Sequence, residues 1–257
     1  MGDIDSKPKT TRAQYEAAEE RLRYVQREAA EGFEAAKSSG DLSAAHDWHE
    51  ALKTEFDHFR DLRDRFPQSD LLQLTSDRIR RGWFFEDLTL GSGAAAIRVK
   101  ALNVTIPGGT SDLQAIDALR FAVEQEISPY VQSISSDTVE WLRKNHSAHE
   151  RETAVDRLIR IVPVIPGSQE LTFEQQQALV HAHAMRLAEP LEQCIAALVY
   201  FAYSNRNDLF HGHRVRGSTP DMAVRVGPLS VDLGVRIEET SPLEKSNLIA
   251  VSGVLRT

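Results

Sequence analysis

Apolar residues recur three and four positions apart through the first quarter of the chain. Over 11–36 the series Tyr15, Ala18, Leu22, Val25, Ala29 and Phe33 predicts an amphipathic helix. Ser38-Ser39-Gly40-Asp41 then supplies a stop and a fresh N-cap. Leu42, Ala45, Trp48, Leu52, Phe56, Phe59 and Phe66 follow on one stripe until Pro67. Two such helices joined by a tight link predict an antiparallel hairpin over 1–67 with charged outer faces.

The period changes at Trp83. Gly91-Ser92-Gly93 breaks the chain, and Ile97, Val99, Leu102, Val104 and Ile106 read as a strand with one slip of phase near Ala101. Gly91-x-Gly93 lacks the third glycine and the following helix of a phosphate-binding loop, so it reads as a turn. Ser111-x-x-Gln114 is a capping box, opening a helix through Leu113, Ile116, Leu119, Val123, Ile127 and Val131. Shorter helices are expected over 137–145 and 148–161. Past Pro163 and Pro166-Gly167, Thr172-x-x-Gln175 opens a helix that Pro190 kinks or splits before it continues to about Ser204.

In the tail, Leu229, Val231, Leu233, Val235 and Ile237 alternate as a strand does. Gly227-Pro228 separates them from a short strand near 222–226, and another strand is expected over 247–255. The expected fold class is therefore mainly α (α+β). An N-terminal hairpin precedes a helical domain over 68–257, with minority β segments near 83–107 and 222–256.

Composition narrows the function classes. At 257 residues the chain can bury a sizeable core, as one elaborated domain or two small ones. The longest apolar run, Cys194 to Tyr203, is about half the roughly 20 residues needed to span a bilayer. The opening Met-Gly-Asp-Ile-Asp-Ser-Lys lacks the apolar core of a signal peptide, so a cytoplasmic protein without a membrane segment is expected. The single cysteine, Cys194, lies among Leu191, Ile195 and Leu198 and reads as a buried small hydrophobe.

Histidine pairs invite a metal reading. On a helix, residues two apart point about 200° away from each other, so His181 and His183 do not face one ion. His46 and His49 share a helical face but have no evident further ligand, and His211-x-His213 has no carboxylate or cysteine poised beside it. No metal or cofactor is expected.

A net charge of −8 argues against non-specific coating of nucleic acid, yet leaves room for a local basic site. Arg206, His211, His213, Arg214 and Arg216 lie within eleven residues, opposed only by Asp208. RNA carries its own nucleophile, the 2′-OH, beside each scissile phosphate. Cleavage needs a group that takes or gives a proton near neutrality, a role that suits His211. It also needs a fixed cation for the charge building on the phosphate oxygens, a role that suits the guanidinium of Arg206. Asn207 can orient the histidine or a phosphate oxygen.

An arginine followed four to six residues later by a histidine is weak evidence alone, since Arg143-Lys144-Asn145-His146-Ser147-Ala148-His149 supplies a second such pair in a polar inter-helix stretch. Context separates the two. Arg206-Asn207-Asp208-Leu209-Phe210-His211-Gly212 follows a long apolar helix, and in this it resembles the HEPN superfamily, its Apea-like branch in particular. The match covers about ten residues, with 172–216 as compatible context.

The resemblance implies a HEPN-like helical bundle and a metal-independent endoribonuclease acting as a homodimer. It places Arg206, Asn207 and His211 in catalysis and implies a role in antiviral defence or a toxin–antitoxin pair, with an antitoxin or defence-system protein as partner. A tyrosine stands two positions after the histidine in the MNT-type toxins of the superfamily, and here that position is His213. His213, Arg214 and Arg216 are candidate RNA contacts, and Arg78, Arg80 and Arg81 either add phosphate contacts or form a charged helix end. The competing reading is a catalytically inactive HEPN-like scaffold that binds a partner protein or RNA. Under it the turn residues Asn205, Asn207, Asp208 and Gly212 only shape a loop.

Overall fold

The computed structural model describes residues 9–91, 96–126, 133–145, 155–204, 207–229 and 232–255. The chain divides into two compact units, Met1–Leu71 and Leu72–Thr257.

The first unit is a hairpin of α1 (Arg12–Ser39) and α2 (Leu42–Asp64). Thr11 and Gln14 form a capping box at the start of α1, and Gly40 ends it in the left-handed conformation (φ 71°) that favours glycine. Asp41 caps α2 by accepting from the N–H groups of Ser43 and Ala44. The seam is aromatic: the Tyr15 ring centroid lies 4.7 Å from that of Phe66 and 5.4 Å from that of Phe59. At the other end Trp48 lies so close to Gly32 that a Cβ there would fall 2.1 Å from the indole nitrogen. The α2 stripe is buried less fully than its spacing predicts. Phe59 and Phe66 are enclosed, whereas Leu42 and Phe56 remain exposed, because a two-helix pair has only one seam in which to hide them.

The second unit mixes helices and sheets, so the described residues form an α+β fold. Helix α3 (Gln68–Arg81) leads into β1 (Trp83–Leu90) and β2 (Ile97–Ile106), an antiparallel pair, and α4 (Asp112–Glu126) and α5 (Ser136–Asn145) follow. The register of β1 on β2 is unbroken from Trp83↔Val104 to Leu90↔Ile97, so there is no slip of phase at Ala101. Ala101 and Leu102 are both buried because the two faces of the sheet are each covered, by different apolar clusters. Alternation disappears wherever a strand is enclosed on both sides.

Residues 157–162 also depart from expectation. They form β3 (Arg157–Val162) rather than the end of a helix over 148–161, and Ile159 and Ile161 face the core two apart while Leu158 is exposed. Residues 146–154 lie outside the described residues. Arg157 pairs with Asp112, which is buried in the first turn of α4 where the helix dipole favours a carboxylate.

Thr172 and Gln175 form a capping box that opens α6 (Phe173–Ala182). A short strand, β4 (Met185–Leu187), then intervenes, and Pro190 begins α7 (Pro190–Tyr203) as its first residue, so the helical run is split rather than kinked. The remaining strands are β5 (Arg214–Arg216), β6 (Met222–Leu229), β7 (Asp232–Glu239), β8 (Ile249–Val251) and β9 (Gly253–Leu255). β6 runs through Gly227-Pro228 instead of ending there, and Val231 lies outside the described residues.

The strands make two sheets, ordered β1-β2-β3-β9-β4 and β7-β6-β5-β8, the latter with β5 and β8 parallel. The two expected β regions are therefore neither one sheet nor two separate ones: the tail strand β9 joins β3 and β4 in the first sheet. Helix α7 packs on α4, on β2 and β3 of one sheet, and on β6 and β7 of the other. A helix enclosed this way must be apolar all round, which accounts for the run from Cys194 to Phe201. Its one buried amide, Gln193, donates through Nε2 to the carbonyl of Arg216 (2.9 Å) and to Ser252 Oγ (2.5 Å).

Candidate functional site

Helix α7 ends at Tyr203, and the Ser204 N–H bonds back to the carbonyl of Tyr200 at 2.9 Å. Arg206, with Asn205, lies outside the described residues. The Asn207 side chain donates from Nδ2 to the Ser204 carbonyl at 2.6 Å, so its amide nitrogen fastens the loop to the helix end.

From Asp208 the loop is a tight, anchored turn. The Asp208 carboxylate accepts the N–H of Phe210 through Oδ1 (2.8 Å) and that of Gly212 through Oδ2 (2.5 Å). Leu209 and Phe210 are buried in the main core. His211 then takes a left-handed backbone (φ 52°), followed by Gly212 at φ 85°. Two successive residues at positive φ reverse the chain sharply, and His211 stands exposed at the crest between buried anchors.

His211 borders a cleft of about 480 Å³ that also takes in Lys100 of β2, Phe85 of β1, Tyr200 of α7 and Leu209. The rings of Phe85 and Tyr200 meet edge to face at 5.6 Å. Chemically this joins an imidazole, a primary ammonium, a phenol and an aromatic wall. The spacing of sequence motifs did not reveal Lys100, Phe85 or Tyr200 as neighbours of His211. A faint signal existed in β2, where Arg98 and Lys100 interrupt an apolar strand on one face.

The other candidate contacts are disposed differently. His213 is half-buried, and its Nδ1 is enclosed with no hydrogen-bond partner. Arg214 pairs with Glu244 at 2.5 Å. Burial of Glu244 tends to raise its carboxyl, but hydrogen bonds from Arg214 and Thr240 and the Arg214 charge outweigh it, leaving the group below the ordinary carboxylate value.

Arg216 is fully buried. Its guanidinium donates to Gln176 Oε1 (3.1 Å) and to the carbonyls of Ser241 (2.5 Å) and Glu244 (2.9 Å). As a contact for RNA this residue must be withdrawn, because the guanidinium is spent on crosslinking β5 to α6 and to the segment after β7. Arg80 lies over the Tyr203 ring at 5.4 Å, and the Tyr203 hydroxyl bonds to Ser76. Of the second arginine–histidine spacing, Arg143 pairs with Asp117 at 3.3 Å, and His146 and His149 lie outside the described residues.

No group of three or more potential metal-ligating side chains occurs among the described residues, and none of their helices is long and apolar enough to cross a membrane. Comparison with protein-family models, with curated proteins and with solved structures gave no match to this chain.

Proposed function

We propose that the protein is a metal-independent endoribonuclease with His211 as its proton-transfer group and Arg206 as its fixed cation, built on a HEPN-like arrangement around α7. The observation that carries this reading is the placement of His211: exposed on an anchored left-handed turn and bordering a cleft that also holds Lys100 and Tyr200. The reaction is attack of the 2′-oxygen on the adjacent phosphorus, with loss of the 5′-oxygen, leaving a 2′,3′-cyclic phosphate and a 5′-hydroxyl. RNA supplies the nucleophile, so the residues need only move protons and balance charge. A positioned acid or base contributes roughly 10²–10⁴-fold to such a step.

One histidine does not readily serve as base and acid in the same turnover, so two copies of the chain apposing their turns across a homodimer complete the site. A role in defence or in a toxin–antitoxin pair, with an inhibitory partner protein, belongs to the same reading. The burial of Arg216 and the pairing of Arg214 reduce the cations available to phosphate, and this favours a second reading, a module that holds RNA or a partner protein without cutting.

Purified wild type and His211→Ala, incubated with RNA in EDTA, separate the two. Cleavage by the wild type, with cyclic phosphate ends and loss in the variant, supports the enzyme. Equal cleavage by both, or none by either, sinks it.

A further inference from the structure

Lys100 belongs to two adjoining clefts. One is the cleft bordered by His211. The other, of about 590 Å³, runs along the β1–β2 pair past Asp87, Thr89, Arg98 and Lys100. Arg98 and Lys100 are both exposed and lie two apart on β2, so their side chains leave the same face of the sheet. A strand rises about 3.3 Å per residue, which sets their Cα atoms about 6.6 Å apart. That step is comparable with the distance between successive phosphates in an extended single strand. At the His211 end the face is aromatic, with Phe85 40 % exposed beside Tyr200.

We infer that this face of β1 and β2 is a track for single-stranded RNA, in which Lys100 and Arg98 hold successive phosphates and a base stacks on the Phe85–Tyr200 wall. Cations along a groove with an aromatic platform are the two elements that single-strand recognition requires, since every base has a π-face and every linkage a negative charge. A duplex hides its base faces, and a flat basic patch would accept either form. Asp87, paired in register with Lys100 across the strands, is the opposing charge on the track and weakens it. The inference rests on the ribonuclease reading only in naming the His211 end as the place of cleavage.

The test measures binding apart from reaction. A fluorescent six-nucleotide single strand carrying 2′-O-methyl groups has no nucleophile, so its anisotropy reports affinity alone, and the same sequence in a duplex is the control. Preference for the single strand is expected. Phe85→Ala should weaken it roughly tenfold or more. Lys100→Ala and Arg98→Ala should each lower the salt slope of log K by about 0.7. Asp87→Asn should tighten binding. Thermal unfolding of each variant separates lost contacts from lost folding, and Arg98 and Lys100, both exposed, serve where Phe85→Ala unfolds.

Binding with this dependence, alongside a wild type that leaves ordinary RNA uncut, supports the track and sinks the ribonuclease reading. His211-dependent cleavage with binding unchanged in all three alanine variants does the reverse. Equal affinity for duplex and single strand, or no binding of the hexamer, overturns the track.

Discussion

The Asp208 carboxylate accepts the backbone N–H of Gly212 at 2.5 Å, closing a turn whose crest is His211. The same carboxylate takes the N–H of Phe210, so one side chain organises the loop that displays the imidazole.

The turn makes His211 separable into backbone and side-chain roles. A non-glycine residue at φ 52° bears strain of about 1 kcal/mol that glycine avoids. His211→Gly should therefore unfold at higher urea than His211→Ala, by about 1 kcal/mol, while both lose cleavage. Asp208→Ala should cost about 1–2 kcal/mol and lower activity with the histidine still present. Full activity and unchanged stability in Asp208→Ala would show that the turn does not need its carboxylate.

Arg214 and Arg216 are two residues apart and should differ sharply in the cost of their removal. Arg216→Met leaves Gln176 Oε1 and two carbonyls short of a donor inside the protein, a loss of about 2–4 kcal/mol in denaturant unfolding. Arg214→Ala breaks a partly exposed ion pair and should cost under about 1 kcal/mol. A stable, folded Arg216→Met protein with weakened RNA binding would return Arg216 to the surface role.

Acid should act partly through Glu244. Its folded pKa lies below the ordinary 4.5, held there by Arg214 and Thr240 against the effect of burial. The unfolded chain thus takes up the proton first as pH falls. The contribution is complete above about 4.5 and is lost as pH drops through the lowered folded value. Glu86 behaves alike, its pKa lowered chiefly by the hydrogen bond from Arg160. Urea midpoints from pH 7 to pH 3 should fall less steeply in Glu244→Gln than in the wild type. Parallel curves would remove Glu244 from the acid response.

Cys194 is enclosed in α7, and burial pushes its thiol well above the ordinary value. With neither access nor thiolate, the native protein should resist a maleimide at pH 8 and label only as it unfolds. Rapid labelling under native conditions would contradict the packing of α7.

Helices were legible because their signals are local. Asp41, and Thr172 with Gln175, cap helices by bonds that span no more than three residues, and each is visible as a short pattern. Ser111 and Gln114 do the same for α4. Strands were harder. β3 is only six residues long and carries Arg157 and Arg160 among its apolar positions, and β4, β5, β8 and β9 have three residues each, too few for a period to declare itself. They exist because a distant strand accepts their hydrogen bonds, as β9 does for both β3 and β4.

The candidate site divides along the same line. His211 drew attention through its neighbours in the chain, and the apolar run before it reads directly as a helix. Nothing local distinguishes Arg216, buried to the last atom, from Arg214 two residues earlier, because that difference depends on which elements close over β5. Lys100 and Phe85 reach the histidine only through the pairing of β1 with β2 and the packing of α7 on that sheet. The sequence by itself determined most of the helices, several of their caps and a candidate reactive histidine, all properties of residues a few positions apart. The tertiary structure alone decided which cations face solvent and which side chains share a cleft with His211, because burial and proximity are set by contacts between segments far apart in the chain.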